Sequence, residues 1–255
     1  MDFSRASFDR QKHVFVSLND YCNRRCTYCY LPEHSLSRSR PVETAALIHG
    51  LARLYDEHEF RLLTIAGGEP GLVTNISVPL EAIANIGYSV IVNTNGTLAP
   101  HRIREIRKYN IRAVSFSLDS CDPGVNDRLR FPGSWDLVQK GVLFCRAEGI
   151  PVRVSAVVCT VNQHELLRLF EWCNAVGVEV LNVHELDTSV DPKFLGPLKL
   201  PASDWRELVR RLAIDLRDKE HCTALRLPIS YLTDCESKRI SEHQLSCPAT
   251  HNDTL

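Results

Sequence analysis

The sequence lacks a charge excess of either sign. It has 30 basic and 31 acidic residues, a formal net charge of −1, so no global field exists to hold nucleic acid or an anionic membrane. It also lacks a long hydrophobic run. No stretch approaches the ~18 apolar residues of a spanning helix. The opening Met-Asp-Phe-Ser-Arg-Ala-Ser has no apolar core of signal-peptide type. A cytoplasmic protein with no membrane partner, and no nucleic-acid partner, is expected. Internal repeats and low-complexity segments are absent too. The locally basic run His101 to Lys108 reads as the solvated face of a helix. What remains is ordinary: 255 residues, 44% hydrophobic and 24% charged, fit one large domain or one domain with a small appendage.

Cysteine is not scarce. The chain has ten, which in a reducing compartment fit metal ligands and buried thiols better than disulfides. Cys22, Cys26 and Cys29 lie within Tyr21 to Tyr30 at the spacing C-x3-C-x2-C. A loop curling round one centre can bring such thiolates together, and soft sulfur selects zinc, copper(I) or an iron–sulfur cluster. A structural zinc site needs four ligands, here a distant one such as His34. An electron-carrying 4Fe–4S cluster also takes four cysteines. Three leave one iron open for chemistry. Cys121, Cys145, Cys159 and Cys173 are scattered through periodic segments and read as small buried hydrophobes.

Six β-rich runs are each followed by a turn and, for five of them, a helical pattern. Strands are expected at His13–Leu18, Leu62–Ala66, Tyr88–Asn93, Ala113–Leu118, Val152–Val158 and Val178–Val183. Helices are expected over Pro41–Glu57, Val78–Asn85, Pro100–Lys108, Trp135–Glu148 and Gln163–Ala175. Such alternation predicts parallel strands joined by crossovers. It falls two repeats short of a closed eight-fold barrel, and the first turn has no G-x-G-x-x-G of a Rossmann domain. In parallel α/β architectures the site forms at the carboxyl ends of the strands. There lie the cysteine loop, Gly67-Gly-Glu-Pro70, Thr94 and Asn95, Asp119, and the polar cluster His184, Glu185 and Asp187. Arg153, within strand five, could face an anionic cofactor group or a surface carboxylate.

The cysteine spacing with an aromatic Tyr28 before the third cysteine, Gly-Gly-Glu-Pro about 40 residues later, and Ser117-Leu-Asp-Ser120 together resemble the radical S-adenosylmethionine (SAM) superfamily. The resemblance covers roughly Val14 to Asp187. It implies a partial (β/α)6 barrel of parallel strands. It also implies a 4Fe–4S cluster on Cys22, Cys26 and Cys29, whose open iron takes the amino and carboxylate groups of SAM. Reductive cleavage then yields a 5′-deoxyadenosyl radical that abstracts hydrogen from a peptide or small-molecule substrate. An electron donor such as flavodoxin or ferredoxin is implied as partner. Carried over residue by residue, Gly68, flanked by Gly67 and Glu69, meets the methionine amino group and Ser117 the SAM carboxylate or ribose, while His184 and Glu185, at the strand-six end that touches adenosine in the family, meet SAM or substrate. The expected cofactor-binding set is Tyr28, Gly67, Gly68, Glu69, Ser117, Arg153 and His184. Asp119 is expected chiefly to cap its turn. Asn126-Asp-Arg-Leu-Arg130 departs from a related His-Asp-x-x-Arg pattern at its first residue, which leaves Arg130 without a transferable role.

Residues 10–190 are expected to form the barrel and 191–255 a short α-rich extension. In the extension Lys193–Pro201 reads as a loop and Ser203 as the N-cap of a helix carrying Trp205, Leu208, Val209, Leu212 and Leu216. Cys235 and Cys247-Pro-Ala resemble the opening of a cysteine-rich SPASM or twitch extension, without its later cysteine pairs. A non-enzymatic zinc or electron-transfer protein is the competing reading. A truncated relative that holds a cluster without doing chemistry is a third.

Overall fold

The computed structural model describes residues 12–31, 43–216 and 221–228, and the backbone of 245–246. One sheet organises it. Strands β1 (Lys12–Ser17), β2 (Phe60–Ala66), β3 (Ser89–Thr94), β4 (Ile111–Ser117), β5 (Val152–Val158), β6 (Val180–Glu185), β7 (Ala224–Arg226) and β8 (Leu245–Ser246) pair in sequence order. Every pairing is parallel. Among the described strands none joins β1 to β8, so the sheet is an open half-barrel.

Side-chain alternation explains which face is which. Val16, Ile65, Val92 and Val114 stand in register across the first four strands. With Leu63, Phe116, Val154 and Leu181 they form one buried cluster under the helices. Each fully buried aliphatic side chain contributes roughly 1.5–3 kcal/mol. The other face of the same strands carries His13, Thr64, Asn93, Ser115, Ser117, Arg153, Ser155, Asn182 and His184. The half-barrel is thus apolar outside, against its helices, and polar within.

The helices are α1 (Thr44–His58), α2 (Ser77–Ile86), α3 (Pro100–Ile106), α4 (Pro123–Leu129), α5 (Ser134–Ala147), α6 (Leu166–Val176), α7 (Pro192–Leu195) and α8 (Ala202–Asp215). Cys145 on α5 and Cys173 on α6 are core residues, and Cys121 and Cys159 are buried. Arg104 on α3 and Arg107, which caps its C-terminus, pair with Glu148 at 2.7 and 3.0 Å, so part of the basic run is neutralised locally.

Several expectations shift. Strand six begins at Val180, which puts His184 and Glu185 on the strand itself. The segment expected as a helix from Gln163 opens as a 3-10 turn, Gln163–Glu165, before α6. The stretch expected as a loop, Lys193–Pro201, holds α7 and a 3-10 turn, Gly196–Leu198. The N-cap of α8 is Pro201, not Ser203, whose hydroxyl instead donates to Asp204. The unforeseen α4 starts with an Asp-Pro signal: Asp122 accepts from Val125 N and Pro123 opens the helix. Pro41 and His34 fall outside the described residues.

His13 stands on the polar face, its Nε2 2.6 Å from Thr64 Oγ1. Burial, with Arg153 and Arg226 adding to it, lowers its pKa from 6.5 to about 4. The unfolded chain takes up this proton near pH 6.5 while the folded chain resists to about pH 4. The neutral imidazole's contribution is therefore complete above that window and is lost as pH falls through it. Urea denaturation is expected to show stability declining from neutral pH toward pH 4, by at most about 3 kcal/mol from this residue. His13→Gln is expected to flatten that decline; an unchanged slope in the variant would contradict the assignment.

Candidate active site

The cysteine loop leaves β1 and is seated on the end of β2 by main-chain contact. Gly68 N–H donates to Asn19 O at 3.1 Å and Glu69 N–H to Tyr21 O at 2.9 Å. Asn19 Nδ2 returns a bond to Glu69 O at 3.2 Å. The two glycines make this approach feasible. Gly67 has φ +91°, and a Cβ there would meet Ser17 Oγ at 2.0 Å. A Cβ on Gly68 would meet Tyr21 O at 2.0 Å.

The next side chain, Glu69, is buried. Its carboxylate accepts from Gly71 N at 3.1 Å, Thr94 Oγ1 at 2.9 Å and Asn95 N at 2.8 Å. Burial raises its pKa, and these three donors oppose the rise. Glu69 therefore clasps the β2 tip to the β3 tip. The clasp reaches the loop through Asn95, whose Nδ2 lies 3.5 Å from Cys22 Sγ and 3.1 Å from Asn23 Oδ1.

The far half of the loop is held by a second buried carboxylate. Asp119, just beyond β4, accepts from the Tyr28 hydroxyl, from Arg130 Nη2 at 2.8 Å and from Val157 N at 2.9 Å. Arg130 Nε also lies 2.8 Å from Asp119 Oδ2, an ion-pair contact without hydrogen-bond alignment. Asn126 Oδ1 accepts from Asp119 N at 3.0 Å, and Asn162 Nδ2 donates to Asp119 O at 2.9 Å. Burial would lower the Arg130 pKa; Asp119, Tyr28 and Cys26 outweigh it, and the guanidinium is held more firmly charged than usual. Thr27 N–H donates to Leu129 O at 2.9 Å, which ties the loop to the end of α4. The expectation that Asp119 caps its turn is corrected: its carboxylate is the partner of Arg130 and Tyr28. Arg130, left without a role by the altered pattern, is that partner, and Asn126 holds the Asp119 amide.

These two clasps leave one cavity of about 330 Å³ at the carboxyl ends of the strands. Cys22, Cys26, Cys29, Tyr28, Gly67, Gly68, Glu69, Thr94, Asn95, Ser117, Arg130, His184, Glu185 and Asp187 line it, so the expected site residues converge there with one exception. Arg153 is buried and outside the lining; it sits two residues before Ser155, which does line the cavity. His184 stands across the half-barrel, its side chain open to the cavity.

Three cysteine thiols are the donor chemistry of an iron–sulfur cluster. Among the described residues no three His, Cys, Asp or Glu side chains converge as they would on a single ion. Three thiols spaced round a cavity suit a multi-iron cluster, whose ligands bind separate irons. Burial pushes the Cys22 thiol up, and Cys26 up to about 11, so a bound cation must supply the charge that draws off these protons. The cavity is also of the size that takes a small ligand. The residues present fit the group. Cys235 and Cys247 lie outside the described residues.

Sequence reasoning missed Asn19, Asn23, Thr97 and Asn162, short polar side chains whose roles depend on partners far away in the chain. Asp119→Asn is expected to strand the Arg130 charge and cost about 3–5 kcal/mol of folding stability in chemical denaturation. Adding Arg130→Met should recover most of that loss. A single-variant cost under about 1 kcal/mol, the level of an exposed pair, would contradict the buried-clasp description.

Comparison with known proteins agrees with this geometry. A probable GTP 3′,8-cyclase of Methanothermobacter thermautotrophicus is 29% identical over 174 residues, 67% of this chain and 56% of that protein. A GTP 3′,8-cyclase of Sinorhizobium medicae is 25% identical over 249 residues, 94% of this chain and 69% of that protein. The chain thus spans just over half the length of the first relative. Streptococcus suis SuiB bound to S-adenosylmethionine shares the fold at TM-score 0.69 and 18% identity, over 85% of this chain and 50% of that one; SuiB is also known bound to a precursor peptide, SuiA. Residues 16–173 match the family model of the radical SAM superfamily, and the chain belongs to that superfamily.

Proposed function

We propose that this protein is a radical SAM enzyme acting on a peptide or small-molecule substrate. The observation that carries the reading is the convergence of Cys22, Cys26 and Cys29 with the Gly67–Gly68 strand tip on one cavity. When bound, the 4Fe–4S cluster and SAM supply one-electron cleavage of the sulfonium and a 5′-deoxyadenosyl radical that takes a hydrogen atom from substrate.

The chain's own residues do the rest. In this reading Cys22, Cys26 and Cys29 hold three irons and leave the fourth open to the methionine end of SAM. The amides of Gly68 and Glu69 are engaged within the protein. An ammonium needs acceptors, so carbonyl oxygens at this tip, Gly68 foremost, are what they offer it. Glu69 acts by fixing the tip and the β3 turn. Ser117 presents a hydroxyl to a carboxylate or ribose, and Tyr28 orients the loop through Asp119. His184 and Glu185, across the cavity, face adenosine or substrate. Enclosure by the loop and strand tips limits water at the reacting atoms.

The GTP 3′,8-cyclase relatives favour a small-molecule substrate, and the fold shared with peptide-bound SuiB keeps a peptide in view. A flavodoxin or ferredoxin class donor supplies the electron. Residues 191–255 are read as an extension that adds α8 and the short strands β7 and β8 to the barrel sheet.

Anaerobic reconstitution with iron and sulfide, reduction and addition of SAM are expected to yield 5′-deoxyadenosine. Cys26→Ala is expected to lose the bound iron and that product together, because two thiolates cannot hold the cluster. Bound zinc without iron–sulfur absorption would contradict the proposal, as would full iron content in Cys26→Ala.

A further inference from the structure

The β3 turn reaches the cysteine loop through a hydrogen bond whose polarity is fixed by its surroundings. Asn95 Nδ2 lies 3.5 Å from Cys22 Sγ, an ordinary length for an N–H···S contact. Which end of a side-chain amide faces a partner is ambiguous unless the network decides it. Here it does. Thr97 N–H, which can only donate, points at Asn95 Oδ1 from 2.9 Å. Thr97 Oγ1 donates to the same oxygen at 2.7 Å. Asn95 Nδ2 also donates to Asn23 Oδ1 at 3.1 Å, and Asn23 Nδ2 closes the ring on Thr97 Oγ1 at 3.1 Å. The Asn95 backbone is pinned by Glu69 Oε2 at 2.8 Å. The amide cannot turn its oxygen to the sulfur without breaking the bond from Thr97 N–H.

Resting on the radical SAM reading, we propose that Asn95 is a positioning residue for electron transfer. Its amide N–H bond to the Cys22 sulfur raises the reduction potential of the 4Fe–4S cluster. A hydrogen bond to a cluster sulfur stabilises negative charge, and the reduced cluster carries one more negative charge than the oxidised one, so the bond favours reduction. The electron comes from an external one-electron donor, which is oxidised in turn. No covalent bond forms or breaks, and the proton stays on the Asn95 amide. Asn23 and Thr97 hold the amide, and Glu69 links its position to the strand tip that faces SAM.

An EPR-monitored potentiometric titration of the reconstituted protein, without substrate, tests this. Asn95→Leu, similar in size and without the donor, is expected to bind iron and sulfide as the unmodified protein does and to titrate at a more negative potential. Asn95→Asp should shift further the same way, because a carboxylate replaces the donor. Thr97→Val, which removes one of the two bonds to Asn95 Oδ1, should fall between. Full iron loading in Asn95→Leu at an unshifted potential would overturn the inference. If Asn95→Leu loses the cluster, an unshifted potential in Thr97→Val would overturn it too. An unmodified protein that holds no reducible iron–sulfur centre overturns the parent reading, which separates that failure from this one.

Discussion

The close approach of two backbones, at the junction of β2 and the cysteine loop, is the constraint on which the rest depends. Asn19 and Tyr21 offer their carbonyls to the amides of Gly68 and Glu69 at 3.1 and 2.9 Å. No side chain fits between, since a Cβ at either glycine would stand 2.0 Å from an oxygen. That contact brings the thiols of the cysteine-bearing loop onto the rim of the half-barrel. A site mounted on strand ends inherits the precision of the sheet, which a free loop cannot supply.

Two buried carboxylates complete the mounting from opposite sides. Glu69 gathers hydrogen-bond donors from its own strand tip and the next. Asp119 gathers a phenol, a guanidinium and a main-chain amide from three separate segments. Buried charge is costly unless it is paired and hydrogen-bonded, so each carboxylate stabilises one arrangement and penalises others. Glu69 itself lines the cavity that the cysteines face, and Asp119 reaches it through Tyr28 and Arg130, which do, so the scaffold of the site and its chemistry share residues.

Much of this was legible in the sequence. Strand five was read to the residue, and the other five main strands within two residues at either end, because their outward faces must be apolar and β-branched. The cysteine spacing and the strand-end Gly-Gly-Glu-Pro pointed to one mouth of the barrel, and both motifs lie there. What was not legible depends on contacts between distant segments. That Arg153 is buried short of the cavity lining is invisible in a linear pattern. Asp119 read as a turn cap because its partners, Tyr28 and Arg130, come from either side of it in the chain. The Thr94–Thr97 turn gave a local signal for shape and none for its grip on Cys22. The short β7 and β8 carry too few residues for a periodic signal.

The central claim is that three sulfurs hold a cluster with one iron free for a small ligand. Iron-57 Mössbauer spectroscopy of the reconstituted protein, with and without SAM, tests it most directly. The account predicts a 4Fe–4S spectrum in which one iron of the four changes on adding SAM while the other three keep their parameters. Four irons indifferent to SAM, or a protein that takes up no cluster, would contradict it.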